Sequence, residues 1–364
     1  MKKLSVLFIL ISIVLLLAAC GKSAESEATA SSGASSTPAA SESAGDSPSP
    51  SPSPSESAAE KTYRIAISQI VEHPSLDATR DGFLAALKDA GLEDGKNLKV
   101  DFNTAQGDPS NNLAIAQKIA TDKVDLALGI ATPSTQALVQ NVTDAPIVFA
   151  AVTDPIAAQI VTDLEKPGGN VTGAIDTNPE ATTRLVEFIA ANFPNVKTVG
   201  MILNEGETNA VVMADKAEEE LTKKDIKLVK APVTNSSEVK QAAESLVGRA
   251  DAFYIALDNM VVSGVDAIIQ VAQDKKIPFF SSDRDTVEKG AFATVGFKYY
   301  DHGYQAGQMA ADVLLKGSNP GDMPVLMQEK LDLILNLQAA PNYGIEVTDA
   351  MKSAVQDQQE NLIQ

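Results

Sequence analysis

The feature that most constrains this chain is an alternation running from about residue 63 to residue 336, in which short apolar, β-branched runs each precede a stretch of helical length. Tyr63 to Ser68 is the first run. Ser75 to Ala90 follows, with Leu76, Phe83, Leu84 and Leu87 at helical spacing, Ser75 placed as N-cap and Gly91 as stop. Leu98 to Phe102, Val124 to Ile130, Pro146 to Ala151 and Val171 to Ile175 are further strand candidates. Helices are expected from Asp108-Pro109, where an N-cap precedes a proline at the first helical position, and from Pro133 and Pro155. Parallel neighbours need a crossover long enough to hold a helix, so this alternation predicts an α/β chain with parallel sheets covered on both faces.

After a helix expected over 180–192 the pattern begins again. Lys197 to Leu203, Ile226 to Val229, Ala252 to Leu257, Ile277 to Ser281 and Ala291 to Val295 are strand candidates, separated by helices near 207–224, 236–249 and 261–275. A last long helix, Asp301 to Leu315, follows Gly296-Phe297-Lys298-Tyr299-Tyr300, and an extended piece near 324–336 precedes a short C-terminal helix. Two similar Rossmann-like lobes are expected, without a residue-level repeat between them.

The N-terminal 60 residues follow different rules. Lys2 and Lys3 precede an apolar run from Leu4 to Leu17, too short for the roughly 20 residues of a bilayer-crossing helix, and Leu17-Ala18-Ala19-Cys20 closes it. This end resembles the bacterial lipobox, which implies that Cys20 is lipidated and becomes the first residue of the mature chain. The competing reading is an ordinary signal peptide with an incidental cysteine; against it, Cys20 is the single cysteine of the sequence. Residues 21–60 are almost wholly Ser, Ala, Pro, Glu, Gly and Thr, with a Ser-Pro run from Ser47 to Pro54. Such a composition buries too little apolar surface to offset its ordering entropy, so it is expected to be a disordered tether. The globular part begins near Lys61.

Composition narrows the partners. The formal net charge is −19, and removing the export segment takes away two further lysines, so a nucleic-acid partner, which needs a basic footprint, is not expected. With two histidines, His73 and His302, and the one cysteine committed to lipid, there is no Cys/His metal set and no thiol nucleophile. No Gly-x-Ser-x-Gly elbow, Walker A loop or dinucleotide glycine motif after the first strand is present. Neither a catalytic residue nor a cofactor is assigned. The pair Asp283 and Asp285 is of a kind a glycosidase uses, but an acidic chain carries such pairs by chance. Tyr299, Tyr300 and Tyr304 are expected in interdomain packing.

In open α/β sheets ligands bind beyond the carboxyl ends of the strands. The turns to inspect are therefore Gln69 to Asp77, Ile130 to Thr135, Val152 to Pro155, Leu257 to Asn259 and Ser281 to Arg284. Thr132 to Thr135 puts hydroxyls and unpaired N–H groups at a helix start, where an anion is favoured, although plain N-capping by Thr132 explains the same residues. Asp154 either caps the helix expected from Pro155 or turns outward to a cation. Asp258 and Asp283 follow strands of the second half and would face that donor-rich turn across a cleft. A carboxylate at the helix end and an ammonium at the acids would suit a zwitterion.

At these turns the chain resembles the ABC transporter substrate-binding lipoproteins of the tryptophan/tyrosine type, which have the type I periplasmic-binding-protein fold. The residues that carry the likeness are Ile70 to Gly82, Gly129 to Gln136, Ala151 to Pro155, Pro167 to Gly173, Asp258-Asn259 and Gly296 to Gly307, within about residues 62 to 340. The resemblance implies two lobes, 61–177 plus 297–319 and 178–296 plus 320–364, joined by three hinge crossings and closing on a small ligand. That ligand is commonly an aromatic or branched amino acid. Residue by residue, it places His73, Leu76 and Asp77 on the first loop. Thr132, Ser134 and Thr135 would hold the carboxylate, with Thr153 and Asp154 nearby, and Asp258, Asn259 and Asp283 on the opposite wall. Two departures stand out: Leu203 to Asn209 differs from the family's loop in fine pattern, and Arg284 is basic where a neutral residue is expected.

The expected function is solute capture for an ABC importer. Its partners would be an amino-acid ligand, a permease with its ATPase and a membrane reached through the lipid anchor, and the protein would work as a monomer on the extracytoplasmic face. A sensory or adhesive surface lipoprotein on the same fold is the alternative, and a lipid-anchored hydrolase is the third reading.

Overall fold

The computed structural model describes residues 61–364; the expected export segment, Cys20 and the expected tether lie outside the described residues. The first half runs β1 (Tyr63–Gln69), α1 (Pro74–Asp89), β2 (Leu98–Thr104), α2 (Pro109–Thr121), β3 (Leu126–Ile130), α3 (Thr132–Asn141), β4 (Ile147–Val152) and β5 (Val171–Ile175). The second runs α4 (Pro179–Asn192), β6 (Thr198–Leu203), α5 (Thr208–Thr222), β7 (Lys227–Pro232), α6 (Val239–Leu246), β8 (Ala252–Ile255), α7 (Asn259–Ser263), α8 (Val265–Lys275), β9 (Phe279–Ser281), α9 (Arg284–Lys289) and β10 (Ala293–Gly296). The chain then continues through α10 (Tyr299–Lys316), β11 (Leu326–Met327), β12 (Asp332–Asn336), α11 (Asp349–Ser353), α12 (Gln358–Asn361) and β13 (Leu362–Ile363).

Two sheets result, in the orders β11-β5-β4-β3-β1-β2 and β13-β12-β10-β9-β8-β6-β7. The five central strands of each have the same winding: the first strand sits between the second and the third, and the rest follow outward. That is the doubly wound arrangement, and its strand order reverses beside β1 in one lobe and beside β6 in the other. Burial accounts for the sequence pattern. β3 and β4 are buried at every position because helices cover both faces, and they read as continuous apolar runs rather than alternations. The second lobe adds a ring cluster, with Phe193 edge-on to Phe188, Phe280 and Phe292. The helix starts follow their caps: Asp108 accepts from the N–H groups of Ser110 and Asn111, and Asn178 from that of Glu180, each cap contributing about 1 kcal/mol.

Several expectations are corrected. α1 is capped by His73 with Pro74 in its first turn, so Ser75 lies inside the helix and its hydroxyl is free for another partner. No helix follows Pro155: Asp154 caps Ile156 and Ala157, but Gln159 takes a left-handed φ of 57° and ends the turn, and Ala158, Ile160 and Val161 pack against the sheet as an irregular crossover. The segment 320–327 belongs to the first lobe, because Leu326 and Met327 pair with Ala174 and Ile175 of β5. The three passages between sheets therefore follow β5, β10 and β11, the last lying between Met327 and Asp332 rather than near residue 320.

α1 and α10 of the first lobe approach until their backbones touch. A Cβ on Gly303 would overlap the Thr79 carbonyl oxygen, and one on Gly82 would overlap that of Tyr300. This contact fixes α10, and with it Tyr299 and His302, against the loop that carries His73.

Candidate functional site

Between the carboxyl ends of the two sheets lies a narrow cavity whose empty space, open solvent included, is about 300 Å³. From the first lobe it is lined by His73, Ser75, Leu76, Ala151, Thr153 and Tyr299, from the second by Asn209, Leu257, Asp258, Asn259, Val262 and Asp283, and at the first passage between sheets by Asp176. A hydrogen bond crosses it: the Ser75 hydroxyl donates to Asp283 Oδ1 at 3.1 Å. The lobes are thus drawn together over the cavity.

Each acid on the wall is held by donors of its own. Asp283 also accepts from the Ser281 hydroxyl at 2.8 Å and from the Thr286 N–H at 2.7 Å, which makes it the cap of α9. Asp258 caps α7 through the Val261 N–H at 3.0 Å and accepts from the Asn204 N–H at 2.6 Å. Burial, and then neighbouring Glu207, push its carboxyl up to about 8. Asp176 accepts from the hydroxyls of Thr153 at 3.1 Å and Tyr299 at 3.2 Å, and burial pushes it up to about 6. Behind them Asp285 is pushed up to about 7 by burial and by Asp283. Burial holds the His73 imidazole below its ordinary value, against the pull of Asp283 and Asp77. Among the described residues no lysine or arginine lines this cavity. Asp258 keeps its proton at pH 7, and the acidic lining as a whole, with no cation facing it among the described residues, is a place for a cationic group.

Two supports lie just outside. Glu207 accepts from the Asn259 N–H and amide, the Met260 N–H and the Asn209 amide, tying the starts of α5 and α7 together. His302 Nε2 accepts from the Ala151 N–H at 2.9 Å, and burial pushes that imidazole down to about 3. Ala151 and Ala131, at the ends of β4 and β3, have φ of 55° and 76°, a region that L residues with a Cβ enter only when held there.

Of the eleven positions named from the sequence, six line the cavity: His73, Leu76, Thr153, Asp258, Asn259 and Asp283. The other five do not. Asp77 pairs with Arg80 at 3.0 Å and accepts from the Gln69 amide. The Thr132 hydroxyl accepts from the Thr153 N–H at 3.4 Å, Ser134 donates to Asn112 Oδ1 at 3.1 Å and Thr135 to the Ala131 carbonyl at 3.0 Å. Asp154 caps the turn that follows it. Those three hydroxyls are engaged within the first lobe, while neighbouring Pro133 and Asn112 face the wider mouth of the cleft together with Ile70, Val71 and Met260. Arg284 resolves one departure: it faces away from the cavity, bonding Glu288, the Asn361 side chain and the Glu360 carbonyl.

Sequence reasoning missed Ser75, Ala151, Asp176, Asn209, Leu257, Val262 and Tyr299 as lining residues. Asp176 follows β5, so the rule that pointed to the other strand ends would have found it. Tyr299 was expected in packing, and it does pack, edge-on to His302, while its hydroxyl reaches Asp176.

Comparison with known proteins agrees with this geometry. The family model for the ABC transporter substrate binding protein matches residues 64–358. The tyrosine-binding protein of Clostridioides difficile (strain R20291) is 41% identical over 279 residues, covering 76% of this chain and 80% of that protein. The crystal structure of the ABC domain from Streptococcus pneumonia in complex with L-Trp is 32% identical, covers 81% of this chain and 99% of its own, and has a TM-score of 0.77. The ligand-free, open structure of CD0873, a substrate binding protein with adhesive properties from Clostridium difficile, is 39% identical over 83% of this chain and 98% of its own, yet its TM-score is only 0.61. Of these two structures, the less identical L-Trp complex has the higher TM-score. A family model spanning nearly all of the described residues, two doubly wound lobes and a cavity between them lead to one conclusion: the chain belongs to the ABC transporter substrate-binding family and has the type I periplasmic-binding-protein fold.

Proposed function

We propose that this protein captures a zwitterionic amino acid with an aromatic side chain between its two lobes and delivers it to the permease and ATPase of an importer. The observation that carries the reading is the acid-lined cavity that no Lys or Arg lines among the described residues, with Asp176, Asp258 and Asp283 on its wall and Leu76, Leu257, Val262 and Tyr299 supplying apolar surface. An ammonium suits the acids and an aromatic ring suits the rest. The tyrosine-binding and L-Trp-bound relatives support the same ligand class. The protein captures its ligand and does not convert it. Lipid on Cys20 holds it to the extracytoplasmic face of the membrane, and residues 21–60 give it reach, raising its effective concentration at the permease.

The test is thermal unfolding of the purified protein against the twenty amino acids, nucleosides and sugars. A ligand at about a thousand times its dissociation constant stabilises by about 4 kcal/mol. The chain contains no tryptophan, so the fluorescence of added L-tryptophan reports its own capture. A set in which no amino acid raises the unfolding temperature disproves the ligand class. The anchor is tested separately: Cys20→Ser should release the protein from the membrane fraction, and retention would refute lipidation.

A further inference from the structure

Two side chains on the cavity wall are more than nine-tenths buried and lack protein partners for polar atoms. Asn209 is 2% exposed and its Oδ1 has none; His73 is 8% exposed and neither ring nitrogen has one at hydrogen-bond geometry, with the Asn259 side chain close by. Buried polar atoms in folded proteins are bonded with few exceptions, and the exceptions concentrate where something else supplies the bond. The orientation of the Asn209 amide is fixed by the structure. Its Nδ2 donates to Glu207 Oε2 at 2.9 Å and to the Leu257 carbonyl at 2.7 Å, both acceptors, so the amide cannot be flipped without losing both. The unpartnered atom of Asn209 is therefore an acceptor, and it requires a donor. His73 stands on the same cavity from the other lobe, on the loop that caps α1.

The acids around them are differently placed. Both oxygens of Asp258, of Asp176 and of Asp283 already accept from protein donors. Asp258, pushed up to about 8, also keeps its proton at pH 7, whereas Asn209 Oδ1 is the acceptor still open on the second lobe's part of the cavity wall. We propose that Asn209 is the residue that reads the ligand's ammonium, its Oδ1 accepting from that group while His73 bonds the ligand from the opposite lobe. The ligand then completes hydrogen bonding on both lobes at once, which couples capture to closure. The assignment rests on the amino-acid reading above and adds to it a residue that the sequence analysis quoted only as part of a variant loop.

The experiment uses L-tyrosine and its deaminated analogue 3-(4-hydroxyphenyl)propionate as probes, with affinities by calorimetry for the wild type and for Asn209→Ala. The variant should lose about tenfold or more for L-tyrosine, the size of one lost hydrogen bond to a charged group, and less than about twofold for the analogue. Wild-type protein that binds neither L-tyrosine nor L-tryptophan overturns the amino-acid reading itself. Wild-type binding with an Asn209→Ala affinity for L-tyrosine within about twofold, or with equal losses for both probes, overturns the ammonium assignment alone. A second measurement needs no variant. The chain has only two histidines, so side-chain ¹⁵N spectra resolve each ring. Saturation with ligand should move the His73 nitrogens and leave those of His302, which does not line the cavity, in place. Unmoved His73 resonances in a saturated sample overturn its role.

Discussion

Asp258→Asn isolates the most perturbed acid of the cleft. The Asp258 carboxyl is fully buried, and burial together with Glu207 pushes it up to about 8, so the folded protein holds a proton there that the unfolded chain releases near pH 4. A folded pKa above the unfolded one means stability that is complete below the unfolded value and is lost as pH rises through the folded value. At about 1.4 kcal/mol per pKa unit, the whole shift sets a ceiling on the order of 5 kcal/mol across pH 4 to 8. Asp176 and Asp285, pushed to about 6 and about 7, add losses of the same sign that finish at lower pH. Both histidines are held below their ordinary value and act in the opposite direction, with stability lost as pH falls below the unfolded histidine value. Between pH 7 and 8.5 the slope should therefore belong mainly to Asp258. Asparagine keeps an oxygen for the Val261 N–H but cannot accept from the Asn204 N–H with its amide nitrogen, so the variant starts lower at pH 5. Urea unfolding from pH 5 to 8.5 should show the wild type losing up to about 1.4 kcal/mol per pH unit in the upper window and the variant much less, so the two curves converge as pH rises. Parallel curves from pH 7 to 8.5 would refute the argument.

Three further variants test the frame and the closure. Gly303→Ala forces a Cβ into the Thr79 carbonyl where α1 and α10 touch, and should cost about 3 kcal/mol or more, visible as a lower urea midpoint; an unchanged midpoint means that the helices slide apart freely. Ser75→Ala removes the hydroxyl that reaches Asp283 across the cleft, so small-angle scattering should show a larger ligand-free radius and calorimetry an affinity about threefold weaker, and no change in either measure disproves the cross-lobe role. Ser134→Ala leaves Asn112 Oδ1 without its donor and should cost about 1 kcal/mol of stability while ligand affinity stays within about twofold; a large affinity loss would show that this hydroxyl leaves Asn112 for the ligand.

Much of the site was legible because its residues stand at ends of strands, and strand ends are visible as the points where apolar runs stop. Asp258 and Asp283 were reached in that way; His73, Leu76, Thr153 and Asn259 lie in turns the same rule marked, but the family resemblance singled them out. The hydroxyls of Thr132, Ser134 and Thr135 were not resolved between capping and binding, because a helix start looks the same in sequence whether its side chains turn outward or toward a neighbouring element. Asn112 of α2 and Thr153 after β4 decide that, and both are distant in sequence. Arg284 is the same problem in reverse, since its direction depends on the C-terminal segment it meets.

The sequence alone determined the doubly wound class and the pairing of two lobes, because period and composition act within a few residues of each position. Only the tertiary structure decided which acids keep a proton, where the last passage between sheets falls, and which polar atoms are left without partners. Burial, a neighbouring carboxyl and an amide pinned by two acceptors are properties of groups brought together from opposite lobes, and no local pattern encodes them.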